Sequence, residues 1–76
     1  MKEKLMAILE DVRPDLDFEK ETKLIDEGIL DSFDIISIVE AVDSAFGIEI
    51  NVEDLEPENF NSVVDIMELI KKLQKA

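Results

Sequence analysis

The fold is decided by the stretch Gly28-Ile29-Leu30-Asp31-Ser32-Phe33-Asp34-Ile35-Ile36, where a turn and a polar step precede an apolar run. Gly28 permits a backbone turn. Asp31-Ser32 stands where a helix N-cap accepts a hydrogen bond from a backbone N–H that would otherwise have no partner. Apolar side chains then recur at helical spacing as far as Phe46. The stretch therefore predicts the start of a central helix, Ser32 to Phe46, and a cap is the simplest role for Asp31 or Ser32.

The central helix is predicted to have a core face and an outer face. At about 100° per residue, the core face consists of Ile35, Ile38, Val39, Val42, Ala45 and Phe46. Phe33 and Ile36 fall on the far side, with Glu40 between them and with Asp34 and Asp43 flanking the patch. Two apolar side chains beside the first turn favour contact with a partner. Burial beneath the preceding loop is the alternative.

The rest of the chain predicts more helices around this one. Apolar spacing predicts a first helix from Met1 to about Val12, a short helix or helical turn from Val52 to Pro57, and a last helix from Ser62 to about Gln74. Pro57 is placed beyond the end of the short helix, and Leu55 is expected to point inward. The predicted fold is an all-α, small four-helix bundle, with three longer helices and one short helix.

A long loop, Pro14 to Leu30, joins the first two helices in this prediction. Loops beyond about 12–15 residues are uncommon in compact domains and are often functional. Apolar residues are spread through the loop, and we expect them to anchor it across the helices: Leu16, Phe18, Leu24, Ile25, Ile29 and Leu30.

The composition excludes several classes of function. The 76 residues suit a single domain, 1–76, and contain no cysteine and no histidine. Disulfides, thiolate metal sites, a cysteine nucleophile and a Ser-His-Asp triad are therefore excluded within the chain. No calcium-binding loop motif is present either. We accordingly expect no enzyme activity, no catalytic residue and no metal site.

The charge of the chain indicates what it binds. Its 20 acidic residues outnumber its 8 basic ones, and the net charge is −12. This charge repels nucleic acid and anionic membrane surfaces but attracts basic proteins. No stretch suits a membrane span or a signal peptide. We therefore expect a cytoplasmic monomer that does not insert into membranes.

Several motifs together resemble an acyl carrier protein of the phosphopantetheine-attachment family. The strongest is the run Asp26-Glu27-Gly28-Ile29-Leu30-Asp31-Ser32-Phe33, which is similar to the family's Leu-Gly-Xaa-Asp-Ser-Leu signature. The helix end Phe46-Gly47-Ile48-Glu49-Ile50, the acidic pair Glu53-Asp54 and the opening Ser62-Val63 also agree with the family pattern. The resemblance covers nearly the whole length.

The resemblance implies a covalent cofactor on Ser32. In this family the serine is esterified by 4′-phosphopantetheine, which a phosphopantetheinyl transferase donates from coenzyme A, and the thiol of the arm carries acyl groups as thioesters. By the same analogy, Asp31 lies near the divalent metal during transfer, while capping the helix as well. The implied partners are the transferase and the acyl-loading and acyl-transferring enzymes of fatty acid or related synthesis, whose basic surfaces contact Phe33, Asp34, Ile36, Glu40 and Asp43.

The chain departs from the better-known fatty-acid carriers in places that leave its cargo open. Phe33 replaces the common leucine, and Ser37 and Ser44 stand where those carriers tend to be acidic. The stretch 57–63 looks similar to stand-alone carriers, including D-alanyl carriers. One alternative is therefore an aminoacyl, D-alanyl or peptidyl carrier. An alternative of another class is an unmodified acidic helical adaptor.

Overall fold

The computed structural model describes residues 1–75, in which every regular element is helical. The elements are α1 (Lys2–Val12), α2 (Ser32–Phe46), a single 3-10 turn (Val52–Asp54), α3 (Pro57–Phe60) and α4 (Val63–Gln74). The predicted all-α bundle of three longer helices and one short helix is confirmed, and so are the bounds of the central helix. None of the helices in residues 1–75 has both the length and the apolar character needed to cross a membrane.

The sequence predicts one short element after α2, and the structure has two. The predicted helical turn is present as the 3-10 turn at Val52–Asp54, whereas α3 was not predicted, and Pro57 begins α3 instead of following a helix. The reason is that proline suits the first position of a helix, where its missing N–H would have had no partner. Leu55 lies between the two pieces and is 42% exposed. The prediction that it points inward is therefore wrong.

The core contains side chains from α1, α2, α3, α4 and the long loop. Its buried members are Leu5, Leu9, Phe18, Leu24, Leu30, Ile38, Val42, Ile50, Phe60, Val63, Ile66, Leu69 and Ile70. Spacing predicts an apolar stripe along the last helix, and Leu69 lies to one side of it; the stripe consists of Val63, Ile66, Met67, Ile70 and Leu73. It is buried because α4 packs against both α1 and α3, so its buried face is wider than a single stripe.

The long loop is held against the bundle by apolar anchors and by one asparagine. Phe18, Leu24 and Leu30 are buried, as the sequence predicts. Asn61, between α3 and α4, accepts the N–H of Leu24 on its backbone oxygen at 2.9 Å. Its Oδ1 accepts the N–H groups of residues 25 and 26, each at 3.0 Å. The loop segment that precedes α2 is thereby attached to the connection between α3 and α4.

Candidate functional site

A reciprocal pair of hydrogen bonds between Asp31 and Asp34 forms the start of α2. Oδ1 of Asp31 accepts the Asp34 N–H at 2.9 Å, and Oδ2 of Asp34 accepts the Asp31 N–H at 3.2 Å. This arrangement is a capping box in which aspartate takes both positions. Asp31 has the extended backbone of an N-cap residue, and Ser32 is the first helical residue. Of the two candidates, Asp31 is therefore the cap.

Ser32 is exposed at the positive end of α2. In the first turn, the Asp34 N–H bonds to the cap and the Ile35 N–H bonds to the Asp31 carbonyl oxygen at 3.0 Å. The N–H groups of Ser32 and Phe33 precede these in the turn and point out of the helix end. A phosphate ester on Ser32 would lie beside these donors and the positive helix end, so the residues present fit phosphopantetheine.

An apolar groove opens beside Ser32. It has a volume of about 290 Å³ and runs between α2 and the segment that carries α3. Its lining residues are Ile25, Ser32, Ile35, Ile36, Leu55, Glu56, Pro57 and Phe60. Ser32 is one of these lining residues, so a group attached to its oxygen would start at the edge of the groove.

The turn before Ser32 is fixed from within and from α1. Gly28 has φ +67°, a left-handed conformation that glycine adopts readily. The N–H groups of Ile29 and Leu30 both bond to the Leu24 carbonyl oxygen, at 2.9 and 3.0 Å. Nη1 of Arg13 donates to the Ile29 carbonyl oxygen at 3.1 Å. The backbone that leads into Ser32 is therefore hydrogen-bonded both within the loop and to the residue that follows α1.

Arg13 also forms two ion pairs beside the cap. Its Nη1 lies 2.7 Å from Asp34 Oδ2, and its Nε and Nη2 bind the two carboxylate oxygens of Asp15 at 3.0 and 2.9 Å. These hydrogen bonds lower the pKa of Asp15, and the bonds to Asp15 and Asp34 raise the pKa of Arg13. The sequence analysis assigned Arg13 no role at this site.

Three of the five residues predicted to contact partners lie on one open face of α2. Phe33 is 82% exposed and Ile36 is 55% exposed, and Glu40 is exposed as well. The prediction that Phe33 and Ile36 lie off the core face is confirmed. Their contact with partners stays a prediction.

The other two predicted contact residues, Asp34 and Asp43, are engaged inside the molecule. The Asp34 side chain is only 14% exposed, because it bonds to Arg13 and to the Asp31 N–H. Oδ1 of Asp43 accepts the Ile50 N–H at 3.1 Å, which fixes the chain after α2. Both carboxylates contribute charge near the patch. The sequence analysis placed them on its open flanks, and that placement is wrong, because both are hydrogen-bonded inside the molecule.

Sequence reasoning missed two apolar residues on the neighbouring segment. Val52 in the 3-10 turn is 86% exposed, and Leu55 lines the same groove as Ile36. The open apolar surface therefore continues from Ile36 in α2 to Leu55. Leu55 was assigned to the core because it is apolar, and a short segment offers no helical period that would separate inner from outer positions.

Comparison with known proteins identifies the class to which this fold and site belong. The model of the family described as "Phosphopantetheine attachment site" matches residues 3–70. The chain belongs to this family. It is accordingly a carrier to which 4′-phosphopantetheine is attached covalently.

Several carriers are similar to the chain over most of its length. An acyl carrier protein of Campylobacter concisus is 34% identical over 80 residues, covering 92% of this chain and all of that protein. An acyl carrier protein of Campylobacter curvus is 32% identical with the same coverage. A D-alanyl carrier protein of Streptococcus uberis is 32% identical over 57 residues, covering 75% of this chain and 72% of that protein. No solved structure matches the chain significantly.

Proposed function

We propose that Ser32 is the attachment residue and that the chain is a non-catalytic acyl carrier protein. The observation that carries the proposal is the position of Ser32. It is exposed, follows the cap directly, and lies at the positive end of α2 beside an apolar groove. The other serines in helices, Ser37 and Ser44, lie within α2, away from its N-terminal end. Ser62 is occupied in capping α4, where it accepts the Asp65 N–H.

The residues around Ser32 have separate tasks in the attachment reaction. The Ser32 oxygen forms a new ester bond to phosphorus, its proton passes to a base of the transferase, and the phosphoanhydride bond of coenzyme A breaks to release adenosine bisphosphate. The first-turn N–H groups then face the negative phosphodiester. Asp31 uses Oδ1 for the cap and is exposed, so its other oxygen can approach a divalent metal of the transferase. The attached arm supplies a thiol that holds cargo as a thioester.

The partner enzymes are proposed to contact the open face of α2 and the residues beside the 3-10 turn. Phe33, Ile36, Val52 and Leu55 supply apolar contact, and Glu40 supplies charge. With a net charge of −12, the chain would be drawn to basic surfaces, and rim charges mainly affect the association rate. We propose phosphopantetheinyl transferase and acyl-loading and acyl-transferring enzymes of the cytoplasm as these partners.

The groove favours an acyl cargo. Apart from Ser32 and Glu56 its lining is apolar, so it would shelter a hydrocarbon chain better than a charged aminoacyl group. The similarity to two acyl carrier proteins supports the same cargo. A D-alanyl or other aminoacyl cargo is the second candidate, which the similarity to a D-alanyl carrier protein supports.

Intact-mass measurements test the proposal. Wild type and Ser32→Ala are treated with a phosphopantetheinyl transferase and coenzyme A, and the modified peptide is located by fragmentation. We expect wild type alone to gain one phosphopantetheine group. Acylating and D-alanylating enzymes are then compared on the modified carrier. If only D-alanine is loaded, the cargo is aminoacyl and not acyl. If wild type gains no phosphopantetheine, the alternative of an unmodified acidic helical adaptor is favoured.

A further inference from the structure

Arg13 connects three parts of the chain that meet at the turn before Ser32. It follows the last residue of α1, its Nη1 donates to the Ile29 carbonyl oxygen at 3.1 Å, and the same nitrogen lies 2.7 Å from Asp34 in α2. Its other two nitrogens bind Asp15. One guanidinium group thus joins the end of α1, the long loop and the first turn of α2. A planar fork of donors can bond to several acceptors at once, which a lysine ammonium does less well.

The contact with Asp34 leads directly to the backbone beside Ser32. Oδ2 of Asp34 accepts from Arg13 and also from the Asp31 N–H. Asp31 in turn accepts the Asp34 N–H, which closes the capping box around Ser32. Arg13 therefore reaches the residues on both sides of the serine through a single carboxylate oxygen.

Without Arg13, this turn would lose its counter-charge. The Asp34 side chain is only 14% exposed, and a largely desolvated carboxylate without its partner is unfavourable. Asp31 lies next to it and adds a second negative charge. The carboxylate would gain free energy by turning towards water, and that movement would break its bond to the Asp31 N–H.

We propose that Arg13 is a positioning residue for the attachment reaction. Arg13 donates hydrogen bonds to both the Ile29 carbonyl oxygen and the Asp34 carboxylate. It thereby fixes the turn that presents the Ser32 hydroxyl to the transferase. This inference rests on the proposed function of Ser32. Arg13 need not contact the transferase or coenzyme A to have this effect.

The test compares kcat and KM for modification by a phosphopantetheinyl transferase with coenzyme A, followed by intact mass. Arg13→Met removes the guanidinium group. Lys2→Met is the matched control, because it also removes one positive charge, from an exposed pair in which Lys2 lies 3.4 Å from Glu19. Arg13→Lys keeps the charge without the fork of donors. All variants are assayed under conditions where circular dichroism shows them folded.

A displaced serine should lower kcat, whereas a change of charge alone should affect KM. We expect kcat to fall roughly 10-fold for Arg13→Met, since misplacement of a reacting group by about 1 Å can cost on the order of 100-fold. Lys2→Met should keep the wild-type kcat, and Arg13→Lys should fall between wild type and Arg13→Met. If Arg13→Met does not fold, Arg13→Lys replaces it in the comparison with Lys2→Met, because it keeps the charge but loses the fork of donors, and its kcat should then lie below that of Lys2→Met.

Amide hydrogen exchange separates positioning from general loosening of the fold. In Arg13→Met, exchange should accelerate at Asp31 and Asp34 and stay unchanged at Asp65, which is bonded to the cap of α4. A folded Arg13→Met with the kcat of Lys2→Met would overturn the inference, as would equal acceleration at all three amides. If wild type is not modified, or if Ser32→Ala is, the proposed function fails and this inference fails with it.

Discussion

Asp31 and Asp34 hold each other across the first turn of α2, with hydrogen bonds of 2.9 and 3.2 Å in opposite directions. Ser32 lies between them without being the cap. We therefore expect Ser32→Ala to change the free energy of unfolding by less than about 0.5 kcal/mol, as is usual for surface substitutions. Asp31→Ala should cost about 1 kcal/mol, because it removes the N-cap.

Urea unfolding of the two variants checks this difference. A Ser32→Ala variant as destabilised as Asp31→Ala would mean that the serine, not the aspartate, caps α2. The result also decides how the modification experiments are interpreted. If Ser32→Ala is as stable as wild type, loss of modification cannot be attributed to unfolding.

Phe33 and Phe60 form a matched pair for testing the open face of α2. Phe33 is 82% exposed and Phe60 is 2% exposed. Phe60→Ala should cost about 3–5 kcal/mol of stability, as truncation of a buried phenylalanine does. Phe33→Ala should leave stability nearly unchanged but speed dissociation from the transferase, because loss of an aromatic anchor costs about 2 kcal/mol or more of binding free energy. Thermal melts and surface-based binding kinetics measure the two effects.

Glu40 should affect the same binding differently. Glu40→Lys adds a cation to the rim of the contact, so we expect slower association and a weaker dependence on salt, with dissociation little changed. Equal binding kinetics for wild type, Phe33→Ala and Glu40→Lys would contradict the proposal that partners contact the open face of α2.

Asn61 should matter more for stability than its neighbour Asn59. Asn61→Ala removes the acceptor of two backbone N–H groups, that of Ile25, which is half-buried, and that of Asp26, which is exposed. Loss of two hydrogen bonds of about 0.5–1.5 kcal/mol each should cost about 1–3 kcal/mol. Asn59→Ala removes one bond to the nearby Asp54 carbonyl oxygen, which is worth about 1 kcal/mol. Urea unfolding compares them. The proposed attachment of the loop by Asn61 is wrong if Asn61→Ala is the milder change.

The pKa shifts of Asp15 and Glu58 predict opposite effects of pH on the free energy of unfolding. Arg13 lowers the pKa of Asp15, so the stabilisation from Asp15 is complete above its unfolded pKa of about 3.9 and is lost as pH falls through the lower folded pKa. A hydrogen bond with Glu56 and repulsion from its charge raise the pKa of Glu58. The stabilisation from Glu58 is complete below about pH 4.3 and is lost as pH rises through the higher folded pKa.

The free energy of unfolding should therefore rise from neutral towards mildly acidic pH and then fall in stronger acid. Protonation also relieves repulsion within a chain of net charge −12. Urea melts at constant ionic strength measure the profile. Glu58→Gln should reduce the rise, and Asp15→Asn should reduce the loss in acid. A profile that falls steadily below pH 7 would contradict the assignment of these two groups.

Local patterns were sufficient to predict the helices and most of the core. The spacing of Ile38 and Val42 placed them inside, and it placed Phe33 and Ile36 outside, because the period of a long helix separates its faces. A glycine directly after Phe46 favours a helix end there, and Gly47 caps α2 in the left-handed conformation, with φ +64°. The short elements were predicted less well, since a segment of a few residues has no period to measure.

The polar contacts around the site could not be predicted from spacing. Arg13 and Asp34 are 21 residues apart, and Asn61 and Asp26 are 35 apart, so each pair meets only once the helices have packed. The helical projection placed Asp34 and Asp43 at the edges of the patch, but it carries no information on their hydrogen-bond partners. Which carboxylates bond inside the molecule depends on the donors that folding brings to them.

The most direct test of the carrier assignment is the intact mass of wild type and Ser32→Ala after treatment with a phosphopantetheinyl transferase and coenzyme A. The position of Ser32 predicts one added phosphopantetheine group on wild type, located at Ser32, and none on a folded Ser32→Ala. Modification of Ser32→Ala, or a wild type that stays unmodified while a known carrier in the same reaction is converted, would contradict the assignment.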